Sequence, residues 1–180
     1  MRRLMRHKNT PNFVPDFMAP SVFEVDFKLL KDRGIKFIAF DADSTLVHFR
    51  GTELSEETKR HIKQQRHLFD GWCVASNRLS NDLGALAESI DAGVVRANLY
   101  HRKPKKAYFK RIIEHFQAEP QEIAIIGDKL IADVLGGNRS GFTTVWVENI
   151  GPDSPWDWVL RVRAWEKRLM KRHVGLKGNK

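Results

Sequence analysis

The sequence has a single cysteine and no long hydrophobic run, and both absences exclude classes of protein. Cys73 alone excludes an internal disulfide framework and a zinc site built from several cysteines. No apolar stretch approaches the ~20 residues that a transmembrane helix needs, and none follows the basic N-terminus as a secretory signal would require. These absences predict a soluble protein of a reducing compartment, and we expect a cytoplasmic location.

Acidic residues are scarce at the two ends of the chain. Of the net charge of +9, residues 1–10 contribute +4 and residues 155–180 contribute +6. Residues 41–154 are nearly balanced, at −1. Basic ends attract polyanions such as nucleic acid or an anionic membrane, with a strength that falls as salt rises. They are also consistent with two solvated tails.

The 180 residues fit one domain in which short apolar runs alternate with helical stretches. Three prolines in residues 9–20 predict an extended arm on the surface, within an N-terminal segment of residues 1–35. A core is expected over residues 36–150 and a C-terminal helix over residues 151–180. Strands separated by helices predict an α/β fold with a doubly wound parallel sheet. The predicted strands are Lys36–Asp41, Trp72–Ser76, Val94–Ala97, Ile123–Gly127 and Thr143–Val147, and the predicted helices are Ser55–Phe69, Ser80–Ile90, Lys105–Gln117 and Leu130–Gly136.

Polar side chains follow the carboxyl ends of these strands, which is where such sheets bind ligands. Four of them are acids, and they offer only oxygen ligands, which favours a hard ion such as Mg²⁺ over zinc or copper. Acids, magnesium and a lysine together suit phosphoryl transfer, in which one aspartate attacks phosphorus and a second moves the proton. The residues expected at this edge are Asp41, Asp43, Ser76, Asn77, Lys103, Asp128 and Asp133.

Four ordered segments resemble the motifs of the haloacid dehalogenase superfamily. Residues 41–45 (DADST) are similar to its first motif, DxDxT, and Ser76 is similar to the hydroxyl of its second motif. Lys103 resembles the third-motif lysine, and Gly127-Asp128 with Asp133 resembles the fourth motif, GDxxxxD. All four occur in the expected order and strand context. The resemblance implies a Rossmann-like core and phosphatase chemistry.

The resemblance also implies a role for each acid. Asp41 would be the nucleophile and a magnesium ligand. Asp43 would be the general acid and base, and would bind the metal through its backbone carbonyl. Asp128 would ligate the metal directly, and Asp133 would support it through water. An acid at the position of Asp43 favours phosphatase over dehalogenase chemistry, because an alkoxide leaving group needs a proton.

The remaining site residues would contact the transferring phosphoryl group. The resemblance implies that Ser76 donates a hydrogen bond to it, helped by Asn77, and that Lys103 neutralises its oxygens. Ser76 follows Asp41 by 35 residues and Lys103 follows Ser76 by 27. Helices nearly fill both gaps, so no inserted cap domain is expected. An open site suits a phosphate carried on a large object such as a lipid surface.

A closer resemblance is to the YqeG branch of the subfamily IIIA phosphatases, which is related to the phosphatidylglycerophosphate phosphatases of mitochondria and plastids. It rests on residues 127–139 with Gly141 and on the arm that contains prolines. Two positions depart from the branch. Ser44 stands where Asn is usual, and Arg78 stands where a second Asn is common.

The C-terminal segment predicts a basic amphipathic helix that begins at Ser154. Such a helix can lie in an anionic membrane surface, on the inner face of the membrane. The same apolar face would equally serve to pack on the sheet or to bind nucleic acid or another partner. Its apolar residues are Trp158, Val162, Trp165 and Leu169.

Two other classes of function share some of these features. Receiver domains also gather aspartates, a hydroxyl and a lysine, but they lack an acid two residues after the phosphorylated aspartate, so Asp43 favours an enzyme. A specific nucleic-acid-binding protein is not predicted, because no recognised binding motif is present. The sequence predicts a Mg²⁺-dependent phosphatase that forms an aspartyl-phosphate and acts on phosphatidylglycerophosphate or, alternatively, on a soluble metabolite or nucleotide.

Overall fold

A computed structural model describes residues 1–4, 12–79, 82–151 and residue 168. Within these ranges, seven strands form one sheet in the order β1-β2-β7-β6-β3-β4-β5. All neighbouring strands are parallel except β1 and β2, which are antiparallel. The strands are β1 (Arg2–Arg3), β2 (Phe17–Ala19), β3 (Phe37–Phe40), β4 (Gly71–Ser76), β5 (Gly93–Arg96), β6 (Ile123–Gly127) and β7 (Thr143–Val147).

Helices connect the parallel strands. Short 3₁₀ turns cover Val22–Glu24, Arg66–Leu68 and Pro120–Glu122, and a π-helical segment covers Leu130–Leu135. The α-helices are α1 (Phe27–Asp32), α2 (Glu56–Gln65), α3 (Leu83–Glu88), α4 (Lys106–Phe116) and α5 (Gly136–Ser140).

The central strands are buried on both faces, which explains why they are apolar throughout. In β3, Ile38 and Phe40 belong to one hydrophobic cluster and Ala39 to another. Ile62 of α2 packs in the first cluster, and Ile112 of α4 packs in the second. Helices therefore cover both sides of the sheet, and the predicted doubly wound α/β fold is confirmed.

The winding of the sheet reverses between β3 and β6. From β3 the chain proceeds through β4 to β5 on one side, and it then returns to place β6 and β7 on the other side of β3. A crevice forms at the carboxyl ends of the strands wherever the winding reverses in this way. Because β3 and β6 pair in register from Phe37 with Ile123 to Phe40 with Ile126, the residues after them emerge side by side.

The predicted surface arm over residues 9–20 is wrong for its last part. Phe17–Ala19 is a buried strand that pairs with β7, and Asp16, just before it, forms hydrogen bonds to Thr144 of β7. The Asp16 carboxylate accepts from the backbone N–H of Thr144 at 2.9 Å and from its hydroxyl at 3.1 Å. Pro15 and Pro20 flank a strand that is paired on both sides but too short to include either ring.

Two further elements differ from the prediction. The expected helix over Leu130–Gly136 is a π-helical segment that continues into α5, and α1 was not predicted. The predicted helix over Ser80–Ile90 is observed as α3, with residues 80 and 81 outside the described part of the chain. The predicted C-terminal amphipathic helix, apart from Arg168, also lies outside it. Across the described ranges, no helix is long and apolar enough to cross a membrane.

Candidate active site

The candidate site lies at the carboxyl edge of the sheet, where β3 and β6 run side by side. Asp41 follows β3 and Asp128 follows β6. The backbone N–H of Asp41 donates to the carbonyl of Ile126 at 2.9 Å, which continues the strand pairing for one more residue. Both aspartates therefore stand at the crevice where the winding of the sheet reverses, the place where ligands bind in such folds.

A buried lysine bridges two carboxylates in this crevice. The Nζ of Lys103 lies 2.6 Å from Oδ1 of Asp41 and 2.5 Å from Oδ1 of Asp133, and it donates to the carbonyl of Ala75 at 2.8 Å. The side chains of Lys103 and Asp133 are each only 1% exposed. All three ammonium hydrogens have acceptors, so the lysine is held in one position.

The pKa values at this bridge reflect an excess of negative charge. Burial raises the pKa of the Asp41 carboxyl, Lys103 opposes that rise, and Asp133 adds to it. Burial alone would lower the pKa of Lys103, but the carboxylates of Asp133 and Asp41 raise it above its ordinary value. Lys103 is therefore a permanent cation at neutral pH, set among more carboxylates than it can neutralise.

Three of the carboxylates fit a divalent metal ion. Asp41, Asp128 and Asp133 are all buried, and each offers an oxygen within 4.8 Å of the others. With Lys103 as their cation, the ionised set would carry a net charge of −2, which is costly to bury without a compensating ion. A doubly charged hard cation removes that excess and accepts carboxylate oxygens as ligands.

Gly127 lets Asp133 reach into the site. A Cβ built on Gly127 would lie 2.4 Å from Cγ of Asp133, closer than any real contact, so only glycine fits beside that carboxylate. The backbone N–H of Lys129 donates to the other oxygen of Asp133 at 3.1 Å. Packing against Asp133 thus explains why the fourth motif has glycine at position 127. Hydrogen bonds to both carboxylate oxygens hold Asp133 in place.

We expect Lys103→Met to lower the free energy of unfolding by about 3–5 kcal/mol in the absence of metal, because it leaves buried carboxylates uncompensated. The loss should shrink as pH falls, since protonation of those carboxylates removes the uncompensated charge. Urea unfolding in EDTA at several pH values measures this loss of unfolding free energy and its dependence on pH. The control is Lys110→Met, at an exposed lysine of α4, which should change stability by no more than about 0.5 kcal/mol. Equal stability of the two variants would contradict this account.

The loop after β3 folds back on itself and carries Asp43. The backbone N–H groups of Leu46 and Val47 both donate to the carbonyl of Ala42, at 3.0 and 3.1 Å. Ser44 takes a left-handed conformation, with φ of 63°, which Asn adopts more readily than Ser. The hydroxyl of Thr45 donates to Asp128 at 3.4 Å, joining the loop to the carboxylate after β6.

Arg78 holds the Asp43 carboxylate from the other side. The guanidinium contacts Asp43 through Nη2 and through Nε, the latter at 3.3 Å, so the pair is bidentate. It also donates to the carbonyl of Gly51 at 2.9 Å and to Asp82 at 3.0 Å. The backbone N–H of Arg50 donates to Asp43 at 2.7 Å. With side chains only 14% and 7% exposed, Asp43 and Arg78 form a nearly buried ion pair at the entrance to the site.

The loop after β4 supplies the remaining predicted residues. Ser76 is buried at the end of β4, and its hydroxyl accepts from the backbone N–H of Arg78 at 3.1 Å. The amide of Asn77 clamps the backbone of Lys103, accepting from its N–H at 2.7 Å and donating to its carbonyl at 3.0 Å. Asn77 thereby fixes the loop that presents the lysine ammonium.

The structure gathers all seven residues predicted for the site along one edge of the sheet, in two adjoining groups. Lys103 joins Asp41 and Asp133, with Asp128 beside them, while Asp43 pairs with Arg78.

The supporting residues around the site were not predicted. The hydroxyl of Tyr108 donates to the carbonyl of Val95 at 2.6 Å, and the indole N–H of Trp146 donates to the carbonyl of Asp128 at 2.8 Å. Nothing in the sequence indicates which carbonyl the Tyr108 hydroxyl reaches. The departure from the branch at Arg78 marked that position, but it did not indicate a contact with Asp43.

Comparison with known proteins agrees with this geometry. The family described as mitochondrial PGP phosphatase matches residues 2–150. The chain is 31% identical over 143 residues to the probable phosphatase YqeG of Bacillus subtilis, covering 75% of this chain and 77% of that protein. It is 30% identical over 164 residues to phosphatidylglycerophosphate phosphatase 1, chloroplastic/mitochondrial, of Arabidopsis thaliana, covering 85% of this chain and 46% of the relative. The chain thus spans about half the length of the plant protein.

The fold is also found in solved structures. A crystal structure of an uncharacterized protein from Listeria monocytogenes serotype 4b aligns with a TM-score of 0.55 at 16% identity, covering 74% of this chain and 99% of that one. At that identity the likeness shows the fold alone. The extent of the family match and the identity to the Bacillus relative carry the assignment: the chain belongs to the mitochondrial PGP phosphatase family and is a phosphatase of the haloacid dehalogenase superfamily.

Proposed function

We propose that this phosphatase hydrolyses phosphatidylglycerophosphate with Mg²⁺, through a phosphoryl group carried on Asp41. The observation that supports the chemistry most directly is the Asp41 carboxylate itself. It is buried, is held at 2.6 Å by Lys103, and stands two residues before a second carboxylate that a different cation holds. Two carboxylates with separate partners can take separate roles, one attacking phosphorus and the other moving a proton.

In the first step, an oxygen of Asp41 attacks phosphorus and the ester P–O bond breaks. Asp43 enters this step protonated and out of its ion pair with Arg78, gives its proton to the leaving alkoxide, and becomes the carboxylate that Arg78 holds. Lys103 neutralises the charge on the attacking carboxylate and the phosphoryl oxygens. The hydroxyl of Ser76 donates a hydrogen bond to one of the phosphoryl oxygens. The products of this step are the alcohol and an aspartyl-phosphate.

In the second step, the Asp43 carboxylate takes a proton from water, and the resulting oxygen attacks phosphorus. The bond between phosphorus and Asp41 breaks, and inorganic phosphate leaves. Asp43 is protonated again and the nucleophile is restored, so one substrate and one water give one alcohol and one phosphate.

The carboxylates of Asp41 and Asp128 and the backbone carbonyl of Asp43 would hold Mg²⁺, with Asp133 supporting it through water. A bound Mg²⁺ neutralises negative charge that builds on the transferring phosphoryl group. The fit rests on the three buried carboxylates, whose excess charge Lys103 alone does not balance.

Arg78 is a positioning residue in this scheme, because it orients Asp43. We expect Arg78→Asn to lower kcat/KM, which reports formation of the aspartyl-phosphate, by roughly ten- to hundredfold for an alkyl phosphate, the scale of a misplaced catalytic group. The loss should be much smaller for p-nitrophenyl phosphate, whose leaving group departs without a proton. Steady-state kinetics on both esters measures the difference.

A double variant separates this role from a structural one. If Arg78 acts through Asp43, combining Arg78→Asn with Asp43→Asn should cost little more than Asp43→Asn alone. Additive losses, or equal losses on both esters, would show that Arg78 does something else.

The relatives support the choice of substrate. The plant relative is a phosphatidylglycerophosphate phosphatase by name, and the family described as mitochondrial PGP phosphatase matches residues 2–150 of this chain. The connection between β3 and β4 contains α2 and a 3₁₀ turn, and its shortness supports an open site that reaches a phosphate at a lipid surface. We place the enzyme in the cytoplasm, in peripheral contact with the inner face of the membrane.

The test is phosphate release from phosphatidylglycerophosphate in mixed micelles, beside a panel of soluble metabolite and nucleotide phosphates, with Mg²⁺ and with EDTA. We expect magnesium-dependent release with a strong preference for the lipid. A preference for one soluble ester would keep the chemistry and overturn the lipid assignment. Release that is unaffected by EDTA would overturn the metal requirement.

A further inference from the structure

The large apolar side chains that stand mostly in solvent are all on one edge of the described molecule. Leu79 is 63% exposed, Leu99 is 75% exposed and Tyr100 is 77% exposed. Leu79 lies in the loop after β4, and the other two lie in the loop after β5. Those loops leave the carboxyl edge of the sheet, which is the edge that carries the candidate active site. We call these three residues the apolar tips.

The loop after β5 is built to hold its apolar residues outward. The side-chain oxygen of Asn98 accepts from the backbone N–H of Tyr100 at 2.9 Å and of His101 at 2.6 Å. The backbone N–H of Asn98 donates to the carbonyl of His101 at 2.9 Å, which closes the turn. A turn held by several hydrogen bonds keeps Leu99 and Tyr100 in solvent, where an apolar side chain has an unfavourable free energy.

The two loops meet directly beside the catalytic residues. Leu79 and Leu99 line one shallow pocket, and Asn77 lines it with them. Asn77 is the residue whose amide holds both backbone groups of Lys103. Leu79 and Leu99 are therefore separated by one residue, Asn77, from the lysine that contacts Asp41.

The charge along the sequence around Leu99 and Tyr100 is of one sign. From residue 92 to residue 113 the sequence has seven basic residues and no acid. Arg102, Lys105 and Lys106 of this stretch are exposed and follow the turn that carries Leu99 and Tyr100. Apolar residues that project beyond a set of cations complement an anionic bilayer, whose headgroups attract the cations while its interface accepts Leu and Tyr.

The size of the patch argues against a protein as the occupant. A stable protein interface covers about 800 Å² on each partner and draws on some twenty residues. Three side chains on the ends of two loops are far fewer, whereas a few inserted side chains with nearby cations suffice for reversible binding to a lipid surface. The same comparison argues against a second copy of this chain.

We infer that the apolar tips, with Arg102, Lys105 and Lys106, dock the enzyme on an anionic lipid surface with the active site facing the headgroups. A role for this docking in catalysis rests on the proposed lipid substrate. Binding to the lipid surface itself does not require turnover. The surface consists of residues other than the basic residues 155–180, and it places the membrane at the edge of the sheet where Asp41 and Lys103 lie.

The test measures binding of the full chain to vesicles of phosphatidylcholine with and without an equal part of phosphatidylglycerol. We expect the double variant Leu99→Ser/Tyr100→Ser to lower the partition coefficient of the protein on anionic vesicles about tenfold or more. Each of the two substitutions removes apolar surface that would enter the interface. Lys105→Gln/Lys106→Gln should lower it by about fivefold for each charge at low salt. Turnover of p-nitrophenyl phosphate should stay at the level of the unaltered enzyme in both variants, which shows that they fold.

The matched control for charge is Lys28→Gln/Lys31→Gln, which removes two exposed lysines of α1 and leaves the loops intact. It should bind vesicles within about twofold of the unaltered chain, because those charges lie outside the docking surface. The basic residues 155–180 are present in every variant, so a difference between variants belongs to the loops. Unchanged binding of Leu99→Ser/Tyr100→Ser would overturn the inference, as would an effect of the control equal to that of Lys105→Gln/Lys106→Gln.

Two further outcomes separate this inference from its rivals and from the proposed function. If the unaltered chain forms a dimer in sedimentation velocity and Leu99→Ser/Tyr100→Ser is a monomer, the apolar tips bind a second copy and the lipid inference fails. If binding depends on the tips while phosphatidylglycerophosphate is not hydrolysed, the docking surface stands and the substrate assignment fails.

Discussion

Asp41→Asn is expected to lower kcat by about 10⁴-fold or more, the scale on which loss of a nucleophile acts in enzymes with covalent intermediates. The amide is a poor nucleophile, and it gives Lys103 one carboxylate partner fewer. Asn has the shape of Asp and removes one negative charge from an acid-rich site, so the fold should not suffer. Phosphate release under single-turnover and steady-state conditions measures the loss.

The control for this variant is Asp91→Asn, the same change at an exposed acid before β5. Asp91 has a left-handed backbone, with φ of 53°, which Asn tolerates as readily as Asp. It should turn over substrate like the unaltered enzyme. An Asp41→Asn variant that keeps even a tenth of the activity would remove Asp41 from the role of nucleophile.

Asp43→Asn is expected to lower kcat for an alkyl phosphate by ~10²–10⁴-fold, the usual contribution of a positioned general acid. The departing alkoxide then lacks its proton donor, although the amide oxygen can still accept from the backbone N–H of Arg50. For p-nitrophenyl phosphate the loss in the first step should be much smaller. Comparing the burst of alcohol release for the two esters isolates this step from hydrolysis of the aspartyl-phosphate.

The variant also separates the enzyme from a phosphate-binding module. With p-nitrophenyl phosphate, whose leaving group needs no proton, an enzyme without its general base should accumulate the phosphorylated form, because water then attacks phosphorus without help. We therefore expect the phosphorylated form to accumulate in a variant that turns over slowly and still has Asp41. Near-normal turnover of the alkyl ester by Asp43→Asn would contradict the role of Asp43.

The strands could be predicted because their signals are local. Ile123–Gly127 and Thr143–Val147 occupy the predicted residues. The first is a continuous apolar run, as a strand buried on both faces must be, and the second is a run of β-branched and aromatic residues, which favour strands. The short strand Phe17–Ala19 was missed because prolines surround it and its pairing with β7 spans more than a hundred residues of sequence. Only the assembled sheet provides the hydrogen bonds that make it a strand.

The candidate site also has parts that could be predicted from the sequence and parts that could not. Its carboxylates and lysine could be predicted because parallel strands end at one edge, so residues that follow them converge whatever the details of the loops. The contacts of Arg78 could not be predicted, because they depend on how two loops approach each other. The turn at Asn98 and the exposure of Leu99 and Tyr100 are also properties of the folded loop, and the sequence pattern contains no sign of them.

The central claim is that Asp41 carries the phosphoryl group, and the most direct measurement is a rapid acid quench during turnover followed by mass spectrometry of the peptides. With p-nitrophenyl phosphate as substrate, the account predicts added phosphoryl mass on the peptide that contains residues 41–45, assigned by fragmentation to Asp41, in the unaltered enzyme and at a higher level in Asp43→Asn. None should appear in Asp41→Asn. Turnover without any phosphorylated Asp41, or a phosphoryl group on another residue at a matching rate, would contradict it.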